Sequence, residues 1–452
     1  MATLYIANIR GDYAAEVRTA TGLAAHSRLG SDTCARFVWH LNEGDVLLTP
    51  DGPKDGFVEY VAERLQLSPQ RLNVVTTHGL LDDESLLSSE VVERLRQYVT
   101  TSDWVIEAFL LTPGVVALAD LLGIPRPAGD LFALQGGVSY INLKSSFRSY
   151  AQRVGIPIPV GTTVKSPTEL ADAMVGMGEA SDALILKHER GGGGRGNIGL
   201  VRVEGQGLSG TRETRVIPSN PWDLAMELWG ELVEDKNPAL TVEQYIRDGQ
   251  PFYSEWRVGD TQIDLVSTGA IRYSARNCPN LTSPSWTGLV LPHMFGGHTA
   301  SSTLLQAFIF IQHIQSLGYR GFVNIDGLVD PLGKIFFHEI NARWGGGLVA
   351  ATVASRLLGI GWANNSCVST VLDLPTTTLE NAVGVLNKDG LGYNPITREG
   401  VVVLSLDSDL GNGAEYMIIA GGYERLSDFE LRLRESVLQV SAHADAPELD
   451  QG

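Results

Sequence analysis

Cysteine is scarce in this 452-residue chain: Cys34, Cys278 and Cys367 are odd in number and far apart. Such usage excludes a disulfide framework and predicts a reducing compartment, the cytoplasm. Cations are in deficit too, with 34 Lys and Arg against 52 Asp and Glu and a formal net charge of −18. That balance excludes a general nucleic-acid binder, which needs clustered positive charge, but not a small anion held in a locally basic pocket. Long apolar runs are missing. The longest apolar region, Trp104 to Ile124, is broken by Glu107, Pro113 and Asp120 and predicts no membrane span. The opening MATLYIANIRGDY lacks a basic segment followed by an apolar one, which predicts no signal peptide. No internal repeat, low-complexity segment, P-loop or G-x-S-x-G is present.

The length exceeds what one ordinary core sustains, so about two to four domains are expected. Up to about residue 140, strand and helix patterns alternate: Leu4–Ile9, a helix near Ala14–Ala25, Asp45–Thr49, a helix near Phe57–Leu65, and Leu72–Thr76. That succession predicts a parallel α/β layer. Phe147, Tyr150, Ala151 and Val154 share one helical face, with Ser145 or Ser146 as a cap and Gly155 as the stop. Lys144 stands just before this helix, where anions are favoured. Ala183–Lys187 reads as a strand, and strand character resumes at Ile198–Val203. Between them lies Gly191-Gly192-Gly193-Gly194-Arg195. Consecutive glycines let the backbone approach an anion and aim several N–H groups at it, so this loop reads as a phosphate clamp rather than a linker. Gly205 to Gly210 matches G-x-G-x-x-G, but no amphipathic helix follows, so a hairpin loop is the better reading. Further elements are a helix over Pro221–Val233, strands at Thr241–Ile246, Phe252–Val258 and Ile263–Ala270, and helices at Ser302–Leu317 and Leu348–Leu358. Beyond about Pro375, strands at Gly400–Leu406 and Glu415–Ala420 and a helix at Leu426–Val437 suffice for a small α/β domain.

The densest chemistry lies in Gly321 to Gly347, GFVNIDGLVDPLGKIFFHEINARWGGG. Asp330-Pro331-Leu332-Gly333 separates two strand patterns and predicts a hairpin. With Pro331 and Leu332 as a two-residue loop, Asp326 faces Phe337, and Glu339 is the next residue on that face. Diagonal neighbours of this kind lie roughly 7–8 Å apart or less, so both carboxylates can reach one hard cation. A three-residue loop would turn Asp326 away from Glu339. Asn341 and Arg343 continue the face, and His338 is expected on the other. His293, His298 and Cys278 have no ligand or base partners nearby and read as ordinary loop or core residues.

The ordered set of a lysine before a helix, a lysine entering a glycine-rich hairpin, a strand ending in EQYI, and a hairpin bearing D…E-x-N-x-R resembles the ATP-grasp superfamily over about residues 140–372. Over its whole length the chain resembles the peptide ligases of that superfamily. The resemblance implies an α/β and α+β fold: an N-terminal pre-ATP-grasp α/β layer (1–140), an ATP-grasp module of two subdomains (141–372, about 141–243 and 244–372), and a C-terminal α/β domain (373–452). ATP and Mg2+ are the implied cofactors. Lys144 and Lys187 then bind nucleotide phosphates, Gly191, Gly192, Gly193 and Gly194 fold over them, and Glu243 to Ile246 hold adenine, largely through the main chain at Gln244 and Ile246. Asp326, Glu339 and Asn341 become magnesium ligands, and Arg343 steadies the acyl phosphate or its tetrahedral successor. Many relatives carry an arginine that reaches the γ-phosphate where this chain has Asn324; the resemblance leaves that role open among Arg272, Arg257 and Arg195, with Arg272 counted beside Arg343 as a candidate catalytic residue. The implied activity is ADP-forming ligation of a carboxylate, such as a guanidino acid, to the amine of a peptide. Neither nucleic acid nor membrane is an expected partner, and a homo-oligomer is left open. A biotin-carboxylase-type enzyme shares E-x-N-x-R, but no biotinylation motif is present; a non-catalytic nucleotide-binding protein is the third reading.

Overall fold

The structure is a computed structural model and describes residues 1–9, 34–50, 52–77, 79, 81–190, 196–203, 205, 207–233, 238–274, 285–293, 297–375, 378–407 and 413–444. The helix expected near Ala14–Ala25, the run Gly191–Gly194 with Arg195, and Cys278 lie outside them. The chain divides into two units: Met1–Asp130 with Gly288–Pro292 and Gly345–Gly452, and Leu131–Thr287 with His293–Trp344. Among the described residues no helix is long and apolar enough to cross a membrane.

The first unit begins with the parallel layer its alternating pattern predicts. Strands β1 (Thr3–Ile6), β2 (Val46–Pro50), β3 (Asn73–Thr77) and β4 (Val105–Ala108) lie in the order β3-β2-β1-β4, every pairing parallel. The apolar tract after β4 is a buried helix, Pro113–Leu122. Thr112 caps it, Pro113 takes its first turn, and Gly123 ends it at φ +69°, as each residue's backbone preference dictates. Val115, Leu118 and Ala119 of this helix pack with Leu4, Ile6, Val46, Leu48 and Ile106 in one core.

The second unit contains two sheets. Its five-stranded sheet consists of β5 (Gly161–Val164), β6 (Ala183–His188), β7 (Asn197–Val201), β8 (Glu213–Val216) and β9 (Leu240–Gln244), in the order β5-β9-β6-β7-β8. Helices Pro167–Ala180 and Trp222–Leu232 supply Leu170, Met174 and Leu228 to the core beneath it. β6 and β7 are antiparallel neighbours joined through the glycine run. β7 and β8 are parallel, which corrects the hairpin expected at Gly205–Gly210. Parallel neighbours require a crossover, and the intervening segment is held by Asn197 Nδ2 donating to Gly210 O at 3.0 Å and Thr211 Oγ1 to Leu208 O at 2.7 Å.

Strands β10 (Gln250–Val258) and β11 (Ile263–Ser274) follow, then β12 (Ser285–Leu291), helix Gly297–Ser316, β13 (Gly321–Val329) and β14 (Ile335–Asn341). Within this unit they run β14-β13-β10-β11, all antiparallel. Back in the first unit, helix Gly346–Leu358 leads to β15 (Cys367–Pro375), β16 (Gly400–Asp407) and β17 (Gly413–Ala420), ordered β15-β17-β16, and to helix Tyr423–Ala444. Val290 and Leu291 of β12 pair with Ser369 and Val368 of β15. These strands join the N-terminal layer directly: Trp39 Nε1 donates to Leu404 O at 3.2 Å, and Val403 N to Tyr60 Oη at 3.0 Å.

Candidate active site

The hairpin of β13 and β14 has a register that differs from the expected one in two compensating ways. Its loop contains three residues, Pro331 to Gly333: Asp330 N donates to Lys334 O at 2.9 Å, and Gly333 takes φ +81°, a conformation glycine adopts without penalty. Asp330 Oδ1 accepts from Leu332 N and Lys334 N at 2.9 and 2.8 Å. Alone, this loop would place Asp326 opposite His338, with Glu339 on the other face. A bulge between Asp326 and Gly327 restores the face, so that Gly327 pairs with Phe337, Asp326 directly with Glu339, and Asn324 with Asn341. Gly327 makes the irregularity possible: a Cβ there would lie 2.8 Å from Phe336 O and 2.6 Å from Phe252 Cζ.

Asn341 ties this face together. Its Nδ2 lies 3.2 Å from Asp326 Oδ2, 3.3 Å from Glu339 Oε1 and 3.4 Å from Asn324 Oδ1, while its Oδ1 accepts from Arg343 Nη2 at 3.0 Å. Asn324 Nδ2 continues to Glu255 Oε2 at 3.4 Å. Glu255, fully buried on β10, was not anticipated from the sequence. Its signal there is a single acid between Ser254 and Trp256, the only carboxylate in the strand. Burial first, and the facing Glu339 second, raise the Asp326 pKa well above the usual carboxylate range. Burial pushes Glu339 the same way, but the surrounding cations, Lys144 foremost, outweigh it and hold Glu339 ionised.

The cations come from helix Lys144–Val154 and from β6. Lys144 begins helix Lys144–Val154, and its Nζ is 3.6 Å from Glu339 Oε2. Neither Ser145 nor Ser146 caps this helix through its side chain. Glu189 does so instead, accepting from Ser145 N at 3.2 Å and Ser145 Oγ at 2.6 Å. The anion at this helix start is therefore the protein's own carboxylate, which burial pushes upward in pKa despite those bonds. Lys187 Nζ is 2.6 Å from Glu243 Oε2 and donates to His338 O at 3.4 Å. His338, expected to turn away, is the extra residue of the bulge and is drawn into this cluster. Desolvation, then the nearby Lys187, lower its pKa to about 4.

Glu243 presents its carboxylate to Lys187 and Arg148, while its backbone is paired on both sides, with β5 and β6. Gln244 N and Tyr245 N donate to Val160 O and Ala183 O at 2.7 and 3.0 Å. Among the described residues nothing accepts from Ile246 N. Of the three arginine candidates, Arg257 shares the Asp326 face but stacks on Phe322, its guanidinium carbon 5.1 Å from the ring centre. Arg272 is not brought to the acids. Asp326 pairs with Tyr253 and Tyr253 with Gly269, so strand alternation sends Tyr273 toward Asp326 and Arg272 to the opposite face. Tyr273 accordingly has its pKa raised, by burial first and then by Asp326 and Glu339. Arg195 lies outside the described residues.

Two facing carboxylates are hard oxygen donors suited to magnesium, and Asn341 would join them through Oδ1, the atom that here accepts from Arg343. No three His, Cys, Asp or Glu side chains converge as a closed metal site among the described residues, and His293, its ring 6.1 Å from Phe252, belongs to packing.

Comparison with known proteins adds the fold. Residues 34–124 match the Pre ATP-grasp domain family. Among solved structures, the ADP complex of purK, N5-carboxyaminoimidazole ribonucleotide synthetase, is similar at a TM-score of 0.57 with 11% identity over 98% of each chain. The L-amino acid ligase from Bacillus licheniformis is similar at 0.53 with 14% identity over 96% of this chain and 98% of that one. The biotin carboxylase of Campylobacter jejuni is similar at 0.54 with 13% identity, covering 94% of this chain and 88% of that one. No curated protein matches in sequence. Identities this low speak to fold alone: the chain has the ATP-grasp fold, with a pre-ATP-grasp domain ahead of it.

Proposed function

We propose that the protein is an ATP-dependent, ADP-forming ligase that joins a carboxylic acid to the amine of a peptide. The observation that carries this reading is the convergence, within one unit, of Asp326, Glu339 and Asn341 with Arg343 behind them and Lys144 and Lys187 in front. A carboxylate is too poor an electrophile for an amine at neutral pH, so transfer of the γ-phosphoryl group of ATP to it must come first. That transfer is chiefly positioning and charge neutralisation. Lys144 and Lys187 suit the phosphate chain, and the Ile246 N–H, which has no acceptor among the described residues, suits an adenine edge. Glu339, Asp326 and Asn341 would hold magnesium, which would supply positive charge to offset that of the phosphates. Arg343, fixed through Asn341, is suited to the oxyanion that develops when the amine attacks the acyl phosphate.

The whole-length resemblance to the peptide ligase of pheganomycin biosynthesis supports a guanidino acid as the activated substrate and a place in antibiotic biosynthesis, in the cytoplasm. The test incubates the protein with ATP, magnesium, a panel of amino and guanidino acids and short peptides, and follows nucleotide and coupled product together. Equimolar ADP and amide product is expected. AMP release, or turnover that needs bicarbonate and biotin, would refute the reading, and nucleotide binding without turnover would favour a non-catalytic protein.

A further inference from the structure

Lys187 belongs to a row of three buried ions that crosses from helix Lys144–Val154 to β6. Glu243 is in the middle, with Arg148 Nη1 2.9 Å from Oε1 and Lys187 Nζ 2.6 Å from Oε2. Arg148, Glu243 and Lys187 are 4%, 2% and 4% exposed. Arg148 is fixed from its far side as well, with Nη2 donating to Pro159 O at 3.0 Å and Gly161 O at 2.5 Å. Gly161 leaves the space this needs, since a Cβ there would lie 2.9 Å from Glu243 Cγ and 2.3 Å from Val242 O. The strand register explains the Lys187–Glu243 pair: Lys187 faces Thr241, and Glu243 is the diagonal neighbour on the same face.

The charge balance of this row decides what Lys187 can do. Lys187 and Glu243 alone would form a closed pair with no net charge, and a buried neutral pair offers an anion little. Arg148 takes one oxygen of Glu243, so two cations share one anion and the row carries a net +1. We propose that Arg148 is a positioning residue for nucleotide binding: it draws on the Glu243 carboxylate from behind, keeping the Lys187 ammonium beside His338 O with a positive charge available to a polyphosphate. This rests on the reading of Lys187 as a phosphate ligand. A purely structural strut, tying the helix to β5 and β9, is the competing role.

Titration calorimetry of ADP into the full-length protein separates the two roles. Arg148→Met leaves a neutral pair and should weaken ADP binding about tenfold or more, while Arg148→Lys should stay within about threefold of wild type. Arg148→Met combined with Glu243→Gln restores the single positive charge at Lys187 and should recover affinity to within about threefold. Wild-type affinity in Arg148→Met, or a double variant no tighter than the single one, would overturn the inference. Should Arg148→Met not fold, Glu243→Gln alone decides: the row then carries +2, and ADP must bind more tightly at low salt; equal or weaker binding would overturn the inference. Absence of ADP binding by the wild-type protein would overturn the nucleotide reading itself.

Discussion

Adding one methyl group at Gly327 should damage the pairing of Asp326 with Glu339 more than the fold. The new Cβ would lie 2.6 Å from Phe252 Cζ and 2.8 Å from Phe336 O. Phe252 has little room to retreat, because its ring already meets Phe337 at 5.8 Å and His293 at 6.1 Å between centres. Phe336 O belongs to the paired backbone of β14. Overpacking of this kind costs about 1–3 kcal/mol, and a backbone clash places Gly327→Ala near the upper end. Relief requires the two strands to part at the bulge, which is where Asp326 is brought opposite Glu339. Gly333→Ala is the control: it meets nothing within 4 Å but forces φ +81° on alanine, costing about 1–2 kcal/mol in the loop alone. Urea unfolding should show both variants destabilised. A magnesium titration of ATP turnover should show a raised requirement only for Gly327→Ala. Equal magnesium dependence in the two variants would refute the link between bulge and carboxylate register.

Glu339→Gln should abolish product formation while leaving the melting temperature close to wild type, because it loses the Lys144 contact at 3.6 Å but also relieves two facing buried acids; wild-type turnover would refute its role. His40 lies in the first unit between Tyr5 and Phe37, with ring centres 6.0 Å from each. Burial foremost, then Arg356 and Arg36, lowers its pKa to about 3. The native state therefore stays neutral where the unfolded chain binds a proton, so stability falls as pH drops from about 6.5 toward 3, by up to about 1.4 kcal/mol per pH unit. Denaturation of His40→Phe across that range should show a flatter acid limb, and an unchanged slope would contradict the assignment.

The sequence exposed the site's residue types more clearly than their geometry. Asp326, Glu339, Asn341 and Arg343 stood out because polar residues interrupt apolar strand patterns at the right parity. Their register was not legible, since the bulge depends on how closely Phe252 approaches Gly327, a tertiary contact no local pattern encodes. The parallel pairing of β7 with β8 was hidden for a similar reason: glycine-rich connections of either kind look alike until the partner strand is known. Arg148 was overlooked although a signal existed. It lies one turn after Lys144 and beside Phe147 and Ala151, so both cations fall on the buried face of their helix. Glu243 was legible only as part of the adenine-binding stretch implied by the resemblance and Glu189 was given no role; only the fold reveals that Glu189 caps a helix and Glu243 bridges two cations. Arg272 failed on parity, because a one-residue step along β11 reverses the face.

The acyl phosphate is the centre of the account, and oxygen transfer tests it most directly. An acid that supports turnover, labelled with 18O in its carboxylate, should pass one labelled oxygen to the inorganic phosphate released with ADP, in proportion to the amide formed. Unlabelled phosphate accompanying amide formation, or label recovered in AMP, would contradict activation at the γ-phosphoryl group.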